Sequence, residues 1–231
     1  MRSCHQGNFS SWPGRSAKRV FALDVPAIHA FLLERRKDVD ARDKPGHDGL
    51  MAPEYAMNVI GLSGWSGAGK TTLLTRVIPY WLAQGLRVSV IKHAHHEFDV
   101  DVPGKDSWVH RQSGATEVMV SSARRWALMH ELRGAAEPRL PELLARMSRV
   151  DLVVIEGFKR EPHCKIEVHR AANQKPLLFP DDPDIAGIAT DAAVETTLPL
   201  VHLDDVEAIA ALMRRVALPV EEVLARSVGG G

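Results

Sequence analysis

The chain has 231 residues, enough for one medium α/β domain with an appendage. Its 29 basic and 29 acidic residues cancel, which removes the electrostatic case for nucleic acid or an anionic membrane as a main partner. Hydrophobic residues at 45% and charged residues at 25% fit an ordinary globular protein, and no apolar run nears the roughly 20 residues that cross a bilayer. Two cysteines, Cys4 and Cys164, make neither a disulfide framework nor a zinc quartet, so a reducing cytoplasm is the expected setting.

Residues 1–56 read differently from the rest. Met1 to Arg19 mixes Gly, Ser, Pro and Arg without periodicity, and Val20 to Val25 is too short, and interrupted by Asp24, to serve as a signal peptide. Val25 to Leu33 can make one short helix, with Ile28, Phe31 and Leu32 on one face. The run from Glu34 to Gly49 is charged and turn-prone, with too little apolar surface to order itself. Residues 1–56 are therefore expected to be an extension, disordered or not translated, before a nucleotide-binding domain at 57–231.

From Met57 the pattern becomes regular. Asn58 to Ser63 is an apolar run of the kind that forms a buried parallel strand. Thr71 to Gln84 places Leu73, Leu74, Val77, Ile78, Trp81 and Leu82 at helical spacing, with a kink expected at Pro79 and a stop at Gly85. Strands are expected at Arg87–His93, Val118–Val120, Trp126–Met129, Val150–Ile155, Ile166–Val168 and Ile185–Ala189. Helices are expected at Leu140–Met147, Val206–Val216 and Val220–Arg226. Strands alternating with helices predict an α/β fold, a mostly parallel sheet with helices on both faces.

Between the first strand and the first helix stands Gly64-Trp65-Ser66-Gly67-Ala68-Gly69-Lys70-Thr71, followed by Thr72. The spacing satisfies the P-loop pattern in the context that pattern requires, which makes the fold that of a P-loop NTPase. Glycines let successive backbone N–H groups turn inward toward phosphate oxygens, and the helix N-terminus adds its own unpaired donors. Lys70 reaches the β- and γ-phosphates and the Thr71 hydroxyl serves Mg²⁺. Such a site needs a carboxylate at the end of an apolar strand, and Leu152-Val153-Val154-Ile155-Glu156 supplies it, making Glu156 the candidate for Mg²⁺ or for the attacking water. Asp151, at the opposite end of that strand, is read as structural. Asp191 follows a late strand, where it can pair with a guanine edge or cap a turn. The Asn/Thr-Lys-x-Asp guanine-reading tetrapeptide is absent, so these residues do not separate ATP from GTP.

The segment Lys92 to Ser107 follows the ligand-facing end of the second strand and contains His93, His95 and His96 beside Asp99, Asp101 and Asp106. A metal site, a phosphate or Mg²⁺ switch segment, and simple loop packing all remain open. Adjacent His95 and His96 do not easily face one ion, and no cysteine is near. His163 and Cys164 are expected at the surface after the Glu156 turn.

Several segments together resemble the molybdopterin-guanine dinucleotide biosynthesis adaptor family, protein B (MobB). They are Gly64–Thr72, Ile91-Lys92-His93 with His95-His96, Phe98–Asp101 with Pro103–Ser107, and Val154-Ile155-Glu156-Gly157-Phe158-Lys159. The resemblance covers Met57 to Met213. It implies GTP binding with weak hydrolysis, a homodimeric P-loop fold, and a partner, the guanylyltransferase that joins GMP to molybdopterin. A small-molecule kinase would want an arginine-rich lid, for which Arg124, Arg125 and Arg139 are sparse. A metallochaperone GTPase would want a stronger thiol or histidine cluster. Slow turnover is expected, because the motifs bring no obvious arginine finger; Arg111 is the nearest candidate.

Overall fold

Strand β1, Asn58–Ser63, is the axis of the structure, a computed structural model that describes residues 56–94 and 98–228. It is flanked by β5 (Leu152–Glu156) on one side and β6 (Lys165–His169) on the other, both parallel to it. β2 (Val88–Lys92) extends the sheet beyond β5, and β7 (Ile185–Thr190) and β8 (Leu200–His202) extend it beyond β6. The order is β2-β5-β1-β6-β7-β8, all parallel. A two-residue strand β9, Leu218–Pro219, adds an antiparallel pairing to the start of β1.

The apolar runs of β1 and β5 make sense because both faces of the sheet are covered. Ile60, Leu62, Leu152 and Val154 point to one face, where α1 (Lys70–Ala83) contributes Leu73, Leu74, Val77 and Trp81 and α4 (Val206–Val216) contributes Ile209, Leu212 and Met213. Val59, Val153 and Ile155 point to the other, against Leu140 and Leu144 of α3 (Leu140–Leu144) and Val220 and Val223 of α5 (Val220–Val228). Helix α1 runs without interruption through Pro79. Asp205 caps α4 by accepting a hydrogen bond from the Ala208 N–H at 2.9 Å. Asp151 ties the start of β5 to Arg87 through the Arg87 backbone N–H (2.7 Å) and the guanidinium (3.2 Å), the structural role expected of it.

Residues 98–133 form a separate layer. Helix α2 (Asp106–Gln112) packs on an antiparallel hairpin of β3 (Glu117–Ser121) and β4 (Trp126–His130) that does not join the main sheet. Arg111 holds this layer together: its guanidinium donates to Asp99 at 2.7 Å, Glu131 at 2.7 Å and Asp101 at 3.2 Å. Arg111, the nearest candidate for a finger, is therefore not free, since three carboxylates claim its guanidinium. Among the described residues no helix is long and apolar enough to cross a membrane. The expectations for residues 1–55, and for His95 and His96, lie outside the described residues.

Candidate functional site: a phosphate loop beside a strand-end carboxylate

The loop from Gly64 to Gly69 leaves the carboxyl end of β1 and enters α1 at Lys70. Parallel strands bring their carboxyl ends to one edge, so the ends of β2, β5, β6 and β7 gather round this loop. Lys70 curls back over it and donates to the carbonyls of Gly64 (2.8 Å) and Trp65 (3.0 Å). Half-buried, its ammonium sits below the ordinary lysine range because burial disfavours the charge; Glu156 raises it, and Lys159 and Lys92 lower it further. The Thr71 hydroxyl donates to Glu156 Oε1 at 3.1 Å, so the two residues assigned to Mg²⁺ from sequence are brought together. Two hard oxygen donors in contact at the first turn of a helix fit Mg²⁺, which keeps several waters and takes few protein ligands. Ser66, Gly67, Lys70, Thr71, Lys92 and Glu156 line a depression of about 380 Å³.

The turn after Glu156 is tightly constrained. Gly157 has φ 106° and Phe158 φ 50°, and a Cβ on Gly157 would lie 2.6 Å from His93 Cβ. Only glycine permits this approach. It lets His93 stack on Phe158 with centroids 4.6 Å apart, while the His93 N–H donates to the Glu156 carbonyl at 2.8 Å. That donor is the His93 backbone N–H; the ring nitrogen Nε2 of His93 meets Glu137 Oε1 at 2.7 Å. His93 thus buttresses the carboxylate strand. Among the described residues no group of three or more His, Cys, Asp or Glu side chains is placed to hold a metal ion.

On the β6 side of the loop lie residues that the sequence reading did not single out. Arg170 follows β6, and its Nη2 is 3.5 Å from where a Cβ on Gly69 would stand. Asn173 donates to the Ser66 carbonyl at 3.4 Å. Of the two roles open to Asp191, the structure shows the turn cap: Oδ1 accepts the Ala171 N–H at 2.7 Å, while Oδ2 pairs with Arg170 at 3.6 Å. That N–H, first, keeps its carboxyl below the usual carboxylate range. The signal for Arg170 and Asn173 was positional, since both follow a strand end on the ligand edge. Trp65 is fixed by donating from Nε1 to the Pro176 carbonyl at 2.8 Å, with the Lys159 and Lys175 ammoniums over its ring at 5.4 and 5.9 Å.

His163 departs from expectation. It is 0% exposed, packed against Gly61, where a Cβ would come within 2.4 Å of its Nε2. Burial pulls its pKa down to about 4, so it is neutral at pH 7. Cys164 is half-buried, and burial raises its thiol. The absent side chain at Gly61 is what draws the histidine inward, and such an inter-strand vacancy is invisible to a linear reading.

A parallel strand running into a glycine loop folded round a lysine, with the next hydroxyl on a neighbouring strand-end carboxylate, defines a P-loop nucleotide-binding protein. The family model described as molybdopterin guanine dinucleotide synthesis protein B, MobB, matches residues 59–191. The chain is 40% identical over 163 residues to the molybdopterin-guanine dinucleotide biosynthesis adapter protein of Escherichia coli K12, covering 69% of this chain and 93% of that one. It is 41% identical over 155 residues to the adapter protein of Haemophilus influenzae, covering 66% and 85%. A crystal structure of molybdopterin-guanine biosynthesis protein B superposes with a TM-score of 0.55 at 28% identity, covering 68% of this chain and 98% of the other. The chain belongs to the MobB family.

Proposed function

We propose that this protein is a cytoplasmic GTP-binding adapter in molybdopterin guanine dinucleotide biosynthesis, a slow GTPase that assists the guanylyltransferase. The relatives it matches carry the adapter role in their names. The observation that carries the nucleotide part is the contact of Thr71 with Glu156 beside a lysine folded into the loop. Backbone N–H groups of Gly64 to Thr72 receive the phosphates, and Lys70 exchanges the Gly64 and Trp65 carbonyls for phosphate oxygens. Thr71 and Glu156 would hold Mg²⁺, which would supply neutralisation of phosphate charge. Thr71 and Glu156 lie toward β5, so the nucleoside end extends the other way, toward Arg170, Asn173 and Asp191 at the ends of β6 and β7.

Slow turnover follows from the arginines. Arg111 is held by three carboxylates, and Arg170 is paired with Asp191. A group that gathers on the developing γ-phosphate charge is worth about 10³–10⁵ in rate, and this reading assigns it to a partner. The kinase alternative is disfavoured because Arg124, Arg125 and Arg139 do not line the phosphate depression. Homodimerisation is part of the proposal. Met119, Trp126 and Leu128 stand exposed on one face of the β3–β4 hairpin, an apolar surface suited to a second copy. The test is GTP and ATP binding with and without Mg²⁺, followed by single-turnover hydrolysis alone and with the guanylyltransferase. Fast transfer to a small-molecule acceptor without any protein partner would overturn the adapter reading.

A further inference from the structure

The phosphate depression gathers more positive charge than its single strand-end carboxylate offsets. The ammonium of Lys70 is held low first by burial, and Lys159 and Lys92 press it further against the pull of Glu156. Most cations near the loop have companions. Lys70 donates to the Gly64 and Trp65 carbonyls, Lys159 stands over the Trp65 ring at 5.4 Å, and Arg170 pairs with Asp191. Lys92 differs. It lines the depression, is exposed, and its ammonium makes no hydrogen bond or ion pair with the described residues.

Its backbone is firmly placed. Lys92 ends β2 and pairs in the parallel ladder with Glu156, which ends β5. Paired residues on neighbouring strands point to the same face of the sheet, so Lys92 rises beside the carboxylate that Thr71 contacts at 3.1 Å. The next residue, His93, is pinned by its N–H on the Glu156 carbonyl at 2.8 Å and by its stack on Phe158. A group carried on a pinned strand end keeps its position better than one on a loop. The sheet order gives its place along a bound phosphate chain. The glycine loop follows β1, and beyond β1 on this side come β5 and then β2. With the nucleoside end extending toward β6 and β7, the phosphate chain ends toward β5 and β2, where Lys92 stands.

We infer that Lys92 is the specificity-determining contact for the terminal phosphate, so that the site selects a nucleoside triphosphate over the diphosphate. The inference rests on the nucleotide reading proposed above, but not on which base the nucleotide carries. Lys70 meets the phosphates from the loop, and Lys92 meets the last of them from β2. A lysine suits that task because its ammonium is a compact point charge on a flexible stem. Removal of the terminal phosphate takes away the anion that offsets Lys92, and the surplus charge returns. The diphosphate is therefore the weaker ligand. A grip equal in the ground state and the transition state tightens binding without speeding cleavage, so slow turnover in the absence of a partner is retained.

The probes are the non-hydrolysable β,γ-imido analogues of GTP and ATP, with GDP and ADP, titrated calorimetrically with Mg²⁺ into the full-length protein. The wild type should prefer triphosphate to diphosphate. Lys92→Ala should weaken the triphosphate by about tenfold or more and the diphosphate by less than about threefold, collapsing that preference. Lys92→Arg, which keeps the charge, should retain most of it. Lys92 is exposed, so both variants should fold. Lys159→Ala removes an equal charge nearby and is the control for a diffuse field; it should leave the preference in place. Equal losses of both ligands in Lys92→Ala, no loss at all, or the same selective loss in Lys159→Ala would each overturn the assignment. A Lys92-dependent preference seen with the adenine pair and not the guanine pair would uphold it and count against GTP alone. Wild-type protein that binds none of the four would overturn both readings.

Discussion

Replacing Gly157 with alanine is the most informative single perturbation, because the geometry gives two separable costs. The backbone there has φ 106°, and forcing an L-residue into left-handed space costs roughly 1–2 kcal/mol. The added methyl would also lie 2.6 Å from His93 Cβ, and overpacking of that kind costs roughly 1–3 kcal/mol. Together they predict a destabilisation of about 2–5 kcal/mol, or a fall in Tm of roughly 4–20 °C for a domain of this size. Gly85→Ala is the control, since Gly85 has φ 82° with nothing within 4 Å of the new methyl, so it bears only the first cost. Equilibrium denaturation of both variants reads the difference. Because Gly157 follows Glu156, the displaced turn should also weaken Mg²⁺-dependent nucleotide binding, which Gly85→Ala should leave intact. If Gly157→Ala proves no less stable than Gly85→Ala, the tight His93–Gly157 approach is not what holds the carboxylate strand in place.

Lys70→Ala should lower nucleotide affinity by more than about tenfold, about 1.4 kcal/mol, by titration; unchanged affinity in folded protein would refute the phosphate site. His163, with its pKa depressed to about 4 against an unfolded value near 6.5, makes the unfolded chain the better proton binder between those values. Stability should therefore fall as pH drops from 6.5 toward 4, by an amount on the order of a few kcal/mol, and His163→Leu should flatten that part of the profile in urea melts at stepped pH. Protein purified without an affinity tag should contain no stoichiometric Zn²⁺ or Ni²⁺ by elemental analysis. About one equivalent, lost when His95 and His96 become alanine, would favour a metal-carrying role.

What could be read in the sequence was whatever depends on short spacing. The P-loop residues and the apolar strands β1 and β5 are local patterns, and their elements appear within a residue or two of expectation. Helix α2 was missed because it buries no residue and so shows no apolar period. Its readable trace is electrostatic: Asp106 in the first turn, His110 and Arg111 in the last. Strands β8 and β9 have three and two residues, too few to show alternation. Arg170 at the loop, the commitment of Asp191 to a turn, the capture of Arg111 and the burial of His163 all depend on which strands are neighbours. No window along the chain contains that information, since Arg170 and Gly69 meet only because β6 lies beside β1.

The small strand β9 sets a condition on how the protein is made. β1 is held by β5, by β6 and finally by Leu218–Pro219, with the Val220 N–H donating to the Met57 carbonyl at 2.8 Å. During synthesis β1 leaves the ribosome early, yet its last partner follows some 160 residues later (Asn58 to Pro219). Contacts so distant in sequence form late, after a large loop-closure cost. The emerging chain must therefore carry β1 and the phosphate loop with the start of that strand incompletely paired until Leu218–Pro219 has been translated. A message cut after residue 191, where the family match ends, would encode the whole glycine loop and Glu156 and still leave the central strand without its closing partner.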